Sequence, residues 1–378
     1  DPNLSEARKN LAIVLEEKSE IDKLVNDYAK INNLEPVSAE VINLTGALLK
    51  ARGYLDAAID SYTQAIKLKP DYAKASENQL SLSSQFKNKS LMRMNVSTEF
   101  TTQQGEIESR PKACILKAIE AFISTDLVLS KKYLEAFKNS KPKSFQALDP
   151  KDHVFCTAYG GFLRKLIEKP FSSLQSNSEN MIYHLGESHC LSYAHNLISI
   201  SGLRYKILPK ITFGAKAFHF SKEKNNEFKA ITKANFSLIP GNSKVFISFG
   251  EIDCRPDEGF ISAATKLNRP IEDLVDDTVK GYFSWFEKQN KVKNHNLFFL
   301  NVPAPIYNEL NDPDLNSAVL SVIKSFNTTL RKRIQDYNFN LIDVYKFTAA
   351  NNGFSNNLFH IDNHHLSSDA ITEIEKQL

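Results

Sequence analysis

From Met181 onward the chain changes rhythm, and that change limits its fold more than any other feature. Short apolar runs at Met181–Leu185, Tyr205–Ile211, Val245–Phe249, Leu297–Val302 and Leu341–Tyr345 are separated by segments of helical spacing at Leu191–Ser201, Ile271–Lys291, Leu310–Tyr337 and Ser367–Leu378. Runs of this length, bounded by glycine and proline, read as buried strands. Pro303 and Pro305 stop the fourth run, because proline cannot donate to a ladder. Strands alternating with helices predict an α/β fold, a parallel sheet covered on both faces. Sites in such sheets form beyond the carboxyl ends of the strands.

The residues before this region read as helical. Ser38 to Pro70 resembles one tetratricopeptide repeat: Gly46 stands where two helices approach closely, and Ala58, Tyr62 and Ala65 recur at helical spacing on the second helix. Pro70 ends that helix, and Asp71-Tyr72-Ala73 starts another. Pro36 precedes Pro70 by one repeat period, so residues 5–36 read as a degenerate copy. A polar stretch at 87–111 reads as an irregular connector. Helical spacing returns at 112–138 and at Val154–Ile167, and the Ser/Asn-rich stretch Phe171–Asn180 marks a boundary. The expected domains are a repeat-like all-α region at 1–110, a helical linker at 111–178 and an α/β domain at 179–378.

Composition excludes some partners. Across 378 residues, 47 basic side chains face 44 acidic ones. A net charge of +3 gives no electrostatic reason to bind nucleic acid or an anionic membrane. No apolar run approaches the roughly 20 residues that span a bilayer. The four cysteines, Cys114, Cys156, Cys190 and Cys254, form no C-x-x-C pair and no disulfide framework. They fit a reducing, cytoplasmic compartment and read as buried structural residues. The chain starts at Asp1 rather than Met, which leaves room for a native N-terminus upstream. No Gly-rich phosphate loop is present, and neither a cofactor nor a metal is called for.

Three short words carry the chemistry. Gly186-Glu187-Ser188-His189 and Gly250-Glu251-Ile252-Asp253 follow the first and third strand-like runs, and Asp362-Asn363-His364-His365 lies near the end. Together they offer a hydroxyl, an imidazole and a carboxylate, the groups that nucleophilic acyl transfer needs. A serine attacks well only when a base takes its proton. Histidine titrates in the right range, and a carboxylate fixes its tautomer.

On these words the region 179–378 resembles the SGNH, or GDSL, hydrolases. The resemblance implies a flavodoxin-like three-layer sandwich and ester chemistry, as in esterases, lipases, carbohydrate deacetylases and acyltransferases. Gly186-Glu187-Ser188 stands for the family's Gly-Asp-Ser, with Glu for Asp. Asp362-Asn363-His364-His365 stands for its Asp-x-x-His. Ser188 is then the nucleophile, His365 the base (with His364 the competitor) and Asp362 its orienting partner. The family's oxyanion donors are the serine N–H, a glycine N–H after the second strand, for which Gly214 is the candidate, and an asparagine in Gly-x-Asn-Asp. Here Ile252 occupies the asparagine position and cannot donate. Arg255, positioned by Glu251 or Asp253, is the candidate for the missing positive charge or for binding an anionic group; the alternative is a structural ion-pair network. The expected substrate is an acylated small molecule or carbohydrate, with water or a hydroxyl as acceptor. The expected protein partner would dock on the helical repeats. The competing expectation, favoured by Ile252, is a glycan- or acyl-binding scaffold without turnover.

Overall fold

The computed structural model describes residues 2–85, 110–140, 142–169, 180–310 and 312–378. The connector expected at 87–111 and the boundary at 171–180 fall almost wholly outside these residues. The chain divides into two compact units, residues 1–83 with 225–230, and residues 84–224 with 231–378.

The smaller unit is helical, with helices Pro2–Ile31, Ala39–Ala51, Leu55–Leu68 and Ala73–Ser83. Ser38 caps the second by accepting from the Val41 N–H. Gly46 permits the close approach of the next helix: a Cβ there would lie 2.6 Å from the Tyr62 ring. Ala58, Tyr62 and Ala65 are buried at that contact.

The larger unit is a three-layer α/β sandwich. Its strands are β1 (Asn180–Gly186), β2 (Leu197–Ile200), β3 (Leu203–Ile211), β4 (Lys244–Ser248), β5 (Asn296–Leu300) and β6 (Asn340–Ile342). They are ordered β2-β3-β1-β4-β5-β6, all pairings parallel except the β2–β3 edge hairpin. Side chains alternate between faces, as strand geometry requires. Ile182, Ile207, Phe246, Phe298, Leu300 and Ile342 pack on one side with Leu366, Ile371 and Ile374. Phe299 points to the other side, against Phe283 and Phe286 of the helix Ile271–Asn290. Each such fully buried side chain contributes about 1.5–3 kcal/mol.

One sequence expectation is corrected here. Leu191–Ser201 is not a helix. A 3-10 turn over Ser188–Leu191 is followed by further turns and then by β2. His195 has φ +63, which breaks helical continuation, and Ser201 (φ +51) with Gly202 (φ +80) forms a two-residue hairpin turn into β3. The final helical run is likewise shorter, a 3-10 turn Ser368–Ala370 and a helix Ile371–Glu375.

Helices Pro111–Ile123, Leu127–Lys138 and Pro150–Glu168 belong to the larger unit's core. Ile115, Phe122, Phe162 and Leu163 pack with Cys190, Leu191 and Ile211 in one cluster. Thr125 (φ +67) breaks the first two apart, and Asp126 caps the second. Asp149 accepts from the Asp152 N–H to start the third, with Pro150 in its first turn.

Candidate active site

The sheet brings the sequence words to one rim. In the ladder Gly186 at the end of β1 is level with Ile211 of β3 and Ser248 of β4. Ser188, Gly214 and Ile252 therefore follow three adjacent parallel strands past the same edge. Gly186 is required by crowding, since a Cβ there would lie 2.4 Å from the Ser248 hydroxyl. Gly250 takes φ +135 with the Phe326 ring 2.5 Å from where a Cβ would stand, so no other residue fits the turn that leads to Glu251.

Ser188 and His365 meet there. Ser188 Oγ lies 2.7 Å from His365 Nε2, and His365 Nδ1 lies 2.9 Å from Asp362 Oδ2. Burial lowers the His365 pKa below its ordinary 6.5, against the pull of the Asp362 bond, so the ring is neutral at pH 7. Its one proton sits on Nδ1 toward Asp362, which leaves the Nε2 lone pair facing the serine hydroxyl. Burial also works against the Asp362 carboxylate, but the His365 bond and two backbone N–H donors outweigh it and keep the group ionised. Those donors are the His364 N–H at 2.9 Å and the His365 N–H at 2.7 Å, both on Oδ1. The same carboxylate thus shapes the turn and orients the ring. On its flat side His365 stacks on Phe162, centroids 3.8 Å apart and planes 15° from parallel.

A second buried network surrounds the serine. Glu187 Oε2 lies 2.7 Å from Ser188 Oγ, and Glu187 Oε1 lies 2.6 Å from His189 Nδ1. His189 Nε2 donates to the His364 carbonyl at 2.9 Å. Burial opposes the His189 imidazolium, but Glu187 more than offsets it and raises the pKa to about 9. Burial likewise opposes the Glu187 carboxylate, and the His189 charge holds it below the ordinary carboxylate value. Ser188 has one proton and two acceptors at equal distance. The proton points at His365 in one state and at Glu187 in the other.

Arg255 and Glu251 form the outer part of this network. Arg255 donates to Glu251 through Nε (3.0 Å) and Nη2 (2.7 Å), and also reaches Glu258. Glu251 accepts in addition from His364 Nδ1 at 2.9 Å. His364, the competing base, therefore faces Glu251, while His365 faces the serine. Burial opposes the Glu251 carboxylate, yet Arg255 and His364 hold its pKa well below the usual range. Asp253 turns inward and accepts from the Ala217 and Phe218 N–H groups at 2.7 and 2.9 Å, fixing the start of the helix Ala217–Ser221. Burial raises its pKa to about 7 in spite of these bonds. Gly214 has φ +65 and open space where a Cβ would project. Ile252 is buried on a 3-10 turn with Asp253 and Cys254.

Glu187, His189 and His365 hold their donor atoms within 4.8 Å of one another, a spacing that could suit a metal ion. The hydrogen bonds argue otherwise. His189 donates through both ring nitrogens, to a carboxylate and a carbonyl, so it offers no lone pair. His365 uses one nitrogen on Asp362 and the other on Ser188. All four cysteines are buried, and burial raises the Cys190 and Cys254 thiols well above their ordinary value.

Beside the network opens a cavity of about 480 Å³. Its wall includes Arg255, Asn308, Asn316, Asn363 and His364, with the rings of Tyr307 and Phe354. The sequence singled out Ser188, His365 and Asp362, which meet here, but not the Glu187–His189 pair or the contribution of the helix Pro150–Glu168. Tyr159 and Phe162, three apart on one face of that helix, both face the rim. No local signal separates them from an ordinary apolar stripe.

No protein-family model matches the chain, and no curated protein does. Solved structures do resemble it. One is described as an acylhydrolase from Bacteroides fragilis, at 16% identity and TM-score 0.36, covering 57% of this chain and 90% of that one. An extracellular lipase from Streptomyces rimosus is 12% identical at TM-score 0.35, covering 53% of this chain and 100% of its own. An acetyl xylan esterase is 16% identical at TM-score 0.34, covering 52% and 96%. Among the described residues no helix is long and apolar enough to cross a membrane.

Proposed function

We propose that the larger unit carries out serine-dependent ester chemistry, with Ser188 as nucleophile, His365 as base and Asp362 as its orienting partner. The observation that carries this is the relay of Ser188 Oγ to His365 Nε2 at 2.7 Å and His365 Nδ1 to Asp362 at 2.9 Å. Attack forms a bond from Oγ to the carbonyl carbon, moves the carbonyl π pair onto oxygen and sends the serine proton to Nε2. Collapse breaks the bond to the leaving alkoxide, and His365 returns the proton to it. Water or another hydroxyl then takes the acyl group by the reverse steps, giving hydrolysis or transfer. The N–H groups of Ser188 and Gly214 are the donors assigned to the oxyanion, each worth about 3 kcal/mol.

The substrate class we assign is an O-acylated, hydroxyl-rich molecule such as a carbohydrate. The cavity beside Arg255 and His364 supports this: its wall mixes apolar side chains with the amides of Asn308, Asn316 and Asn363, the Arg255 guanidinium and the rings of Tyr307 and Phe354, and those polar groups suit hydroxyls. Arg255 is engaged by Glu251 and Glu258, which favours a role in shaping this wall. The helical unit is proposed to dock a protein partner. The compartment we assign is the cytoplasm, since four cysteines in 378 residues make no disulfide framework.

A fluorophosphonate label tests the reading. Labelling that disappears in a folded Ser188→Ala variant is expected. A well-folded wild type that takes no label would favour the second reading, a binding scaffold, for which the buried Ile252 in place of a donor is the supporting observation.

A further inference from the structure

Ile252 leaves the oxyanion one donor short of the set implied by the resemblance, and an aliphatic side chain cannot fill the deficit. The helix Pro150–Glu168 supplies a candidate from the opposite wall. Tyr159 packs edge-on against Phe213, centroids 5.4 Å apart and planes at 77°, and Phe213 directly precedes Gly214. Phe155, one turn earlier, supports both rings at 4.6 and 5.4 Å. Phe162, three residues later, stacks on the catalytic imidazole. The helix face that carries Tyr159 thus runs from Phe213, beside Gly214, to His365, whose Nε2 lies 2.7 Å from Ser188 Oγ. The phenol is 9% exposed, in a wall that is otherwise apolar.

We infer that Tyr159 is the third oxyanion donor, its hydroxyl taking over the task that Ile252 cannot perform. This rests on the proposed serine chemistry. Burial, then Glu187 and Cys190, push the pKa of this phenol well above 10, while Ser188 pulls the other way. It stays protonated around neutral pH, where His365 is neutral. A neutral O–H held in a dry wall strengthens its bond to the carbonyl oxygen as charge develops there, and relaxes when the tetrahedral intermediate collapses. Tyr159 keeps its proton throughout, and no bond to it forms or breaks.

Tyr159→Phe removes only the oxygen and keeps the ring against Phe213 and Phe155. With a p-nitrophenyl ester, kcat should fall about 10²–10³-fold with KM within about twofold of wild type. Affinity for a boronic acid that mimics the tetrahedral intermediate should fall by a similar factor, while the melting temperature stays within a few degrees. A purely structural tyrosine would change melting without this split between kcat and KM. A kcat within threefold of wild type, or an unchanged boronate affinity, overturns the inference. Ser188→Ala run in parallel separates the two claims. Turnover that survives Ser188→Ala sinks the serine reading itself, whereas turnover lost there but kept in Tyr159→Phe sinks only the role of Tyr159.

Discussion

Replacing Asp362 with asparagine tests the relay at its most constrained point. The side chain cannot choose its orientation freely. Oδ1 accepts the His364 and His365 N–H groups at 2.9 and 2.7 Å, so the amide oxygen must take that place or forfeit two bonds of about 1 kcal/mol each. The amide nitrogen then falls where Oδ2 stood, 2.9 Å from His365 Nδ1. Two N–H groups would face each other unless Nδ1 gives up its proton. The imidazole therefore moves its hydrogen to Nε2, and the lone pair that should receive the serine proton is gone. In the serine-triad template this change costs about 10⁴ in kcat. Here Oδ1 also lies 3.0 Å from Nδ1 and can retain part of the correct tautomer, so a loss of about 10³–10⁴-fold is expected, or roughly 4–5.5 kcal/mol at 1.36 kcal/mol per tenfold. Initial rates at saturating p-nitrophenyl ester measure it, with a thermal melt to show that the turn survives. A folded Asp362→Asn enzyme keeping more than a tenth of wild-type kcat would refute the argument.

Two pH effects follow from the same buried groups. His365 must be neutral to act and its pKa is lowered, so the acid limb of kcat/KM should have its midpoint below 6.5; a pH–rate profile with that midpoint at 7 or higher contradicts the assignment. The His189 pKa is raised to about 9, so its pairing with Glu187 stabilises the fold fully below its ordinary 6.5, and that contribution drains away as pH rises through 9. The gap in unfolding free energy between wild type and His189→Gln, measured in urea at pH 6, 8 and 10, should shrink by about 3 kcal/mol across that span, and a gap that stays constant would show that the pair is not ionic.

What the sequence disclosed is what is encoded locally. The Asp362–His365 turn closes on itself within four residues through backbone N–H groups, so its spacing alone carries its shape. The parallel strands were legible because runs buried on both faces are mostly apolar, as in Val245–Ile247. Leu191–Ser201 misled because its apolar spacing fits a helix, while the deciding facts are the positive φ angles at His195, Ser201 and Gly202. The wall built by Tyr159 and Phe162 was hidden for another reason. Nothing near residue 162 in the chain records that its ring will meet an imidazole 203 positions later. The pairing of Glu187 with its neighbour Ser188 was also invisible, since it depends on how one side chain folds back on the turn.

The stack of Phe162 on His365 bears on where this chain can be cut. An excision that keeps only the strands and their crossover helices, starting at 179, would discard the aromatic floor under His365 and strip the packing from Cys190, Leu191 and Ile211. A fragment that keeps this stack must include the helix Pro150–Glu168, so the packing beneath His365 belongs to the upstream helices as much as to the C-terminal turn that carries the ring.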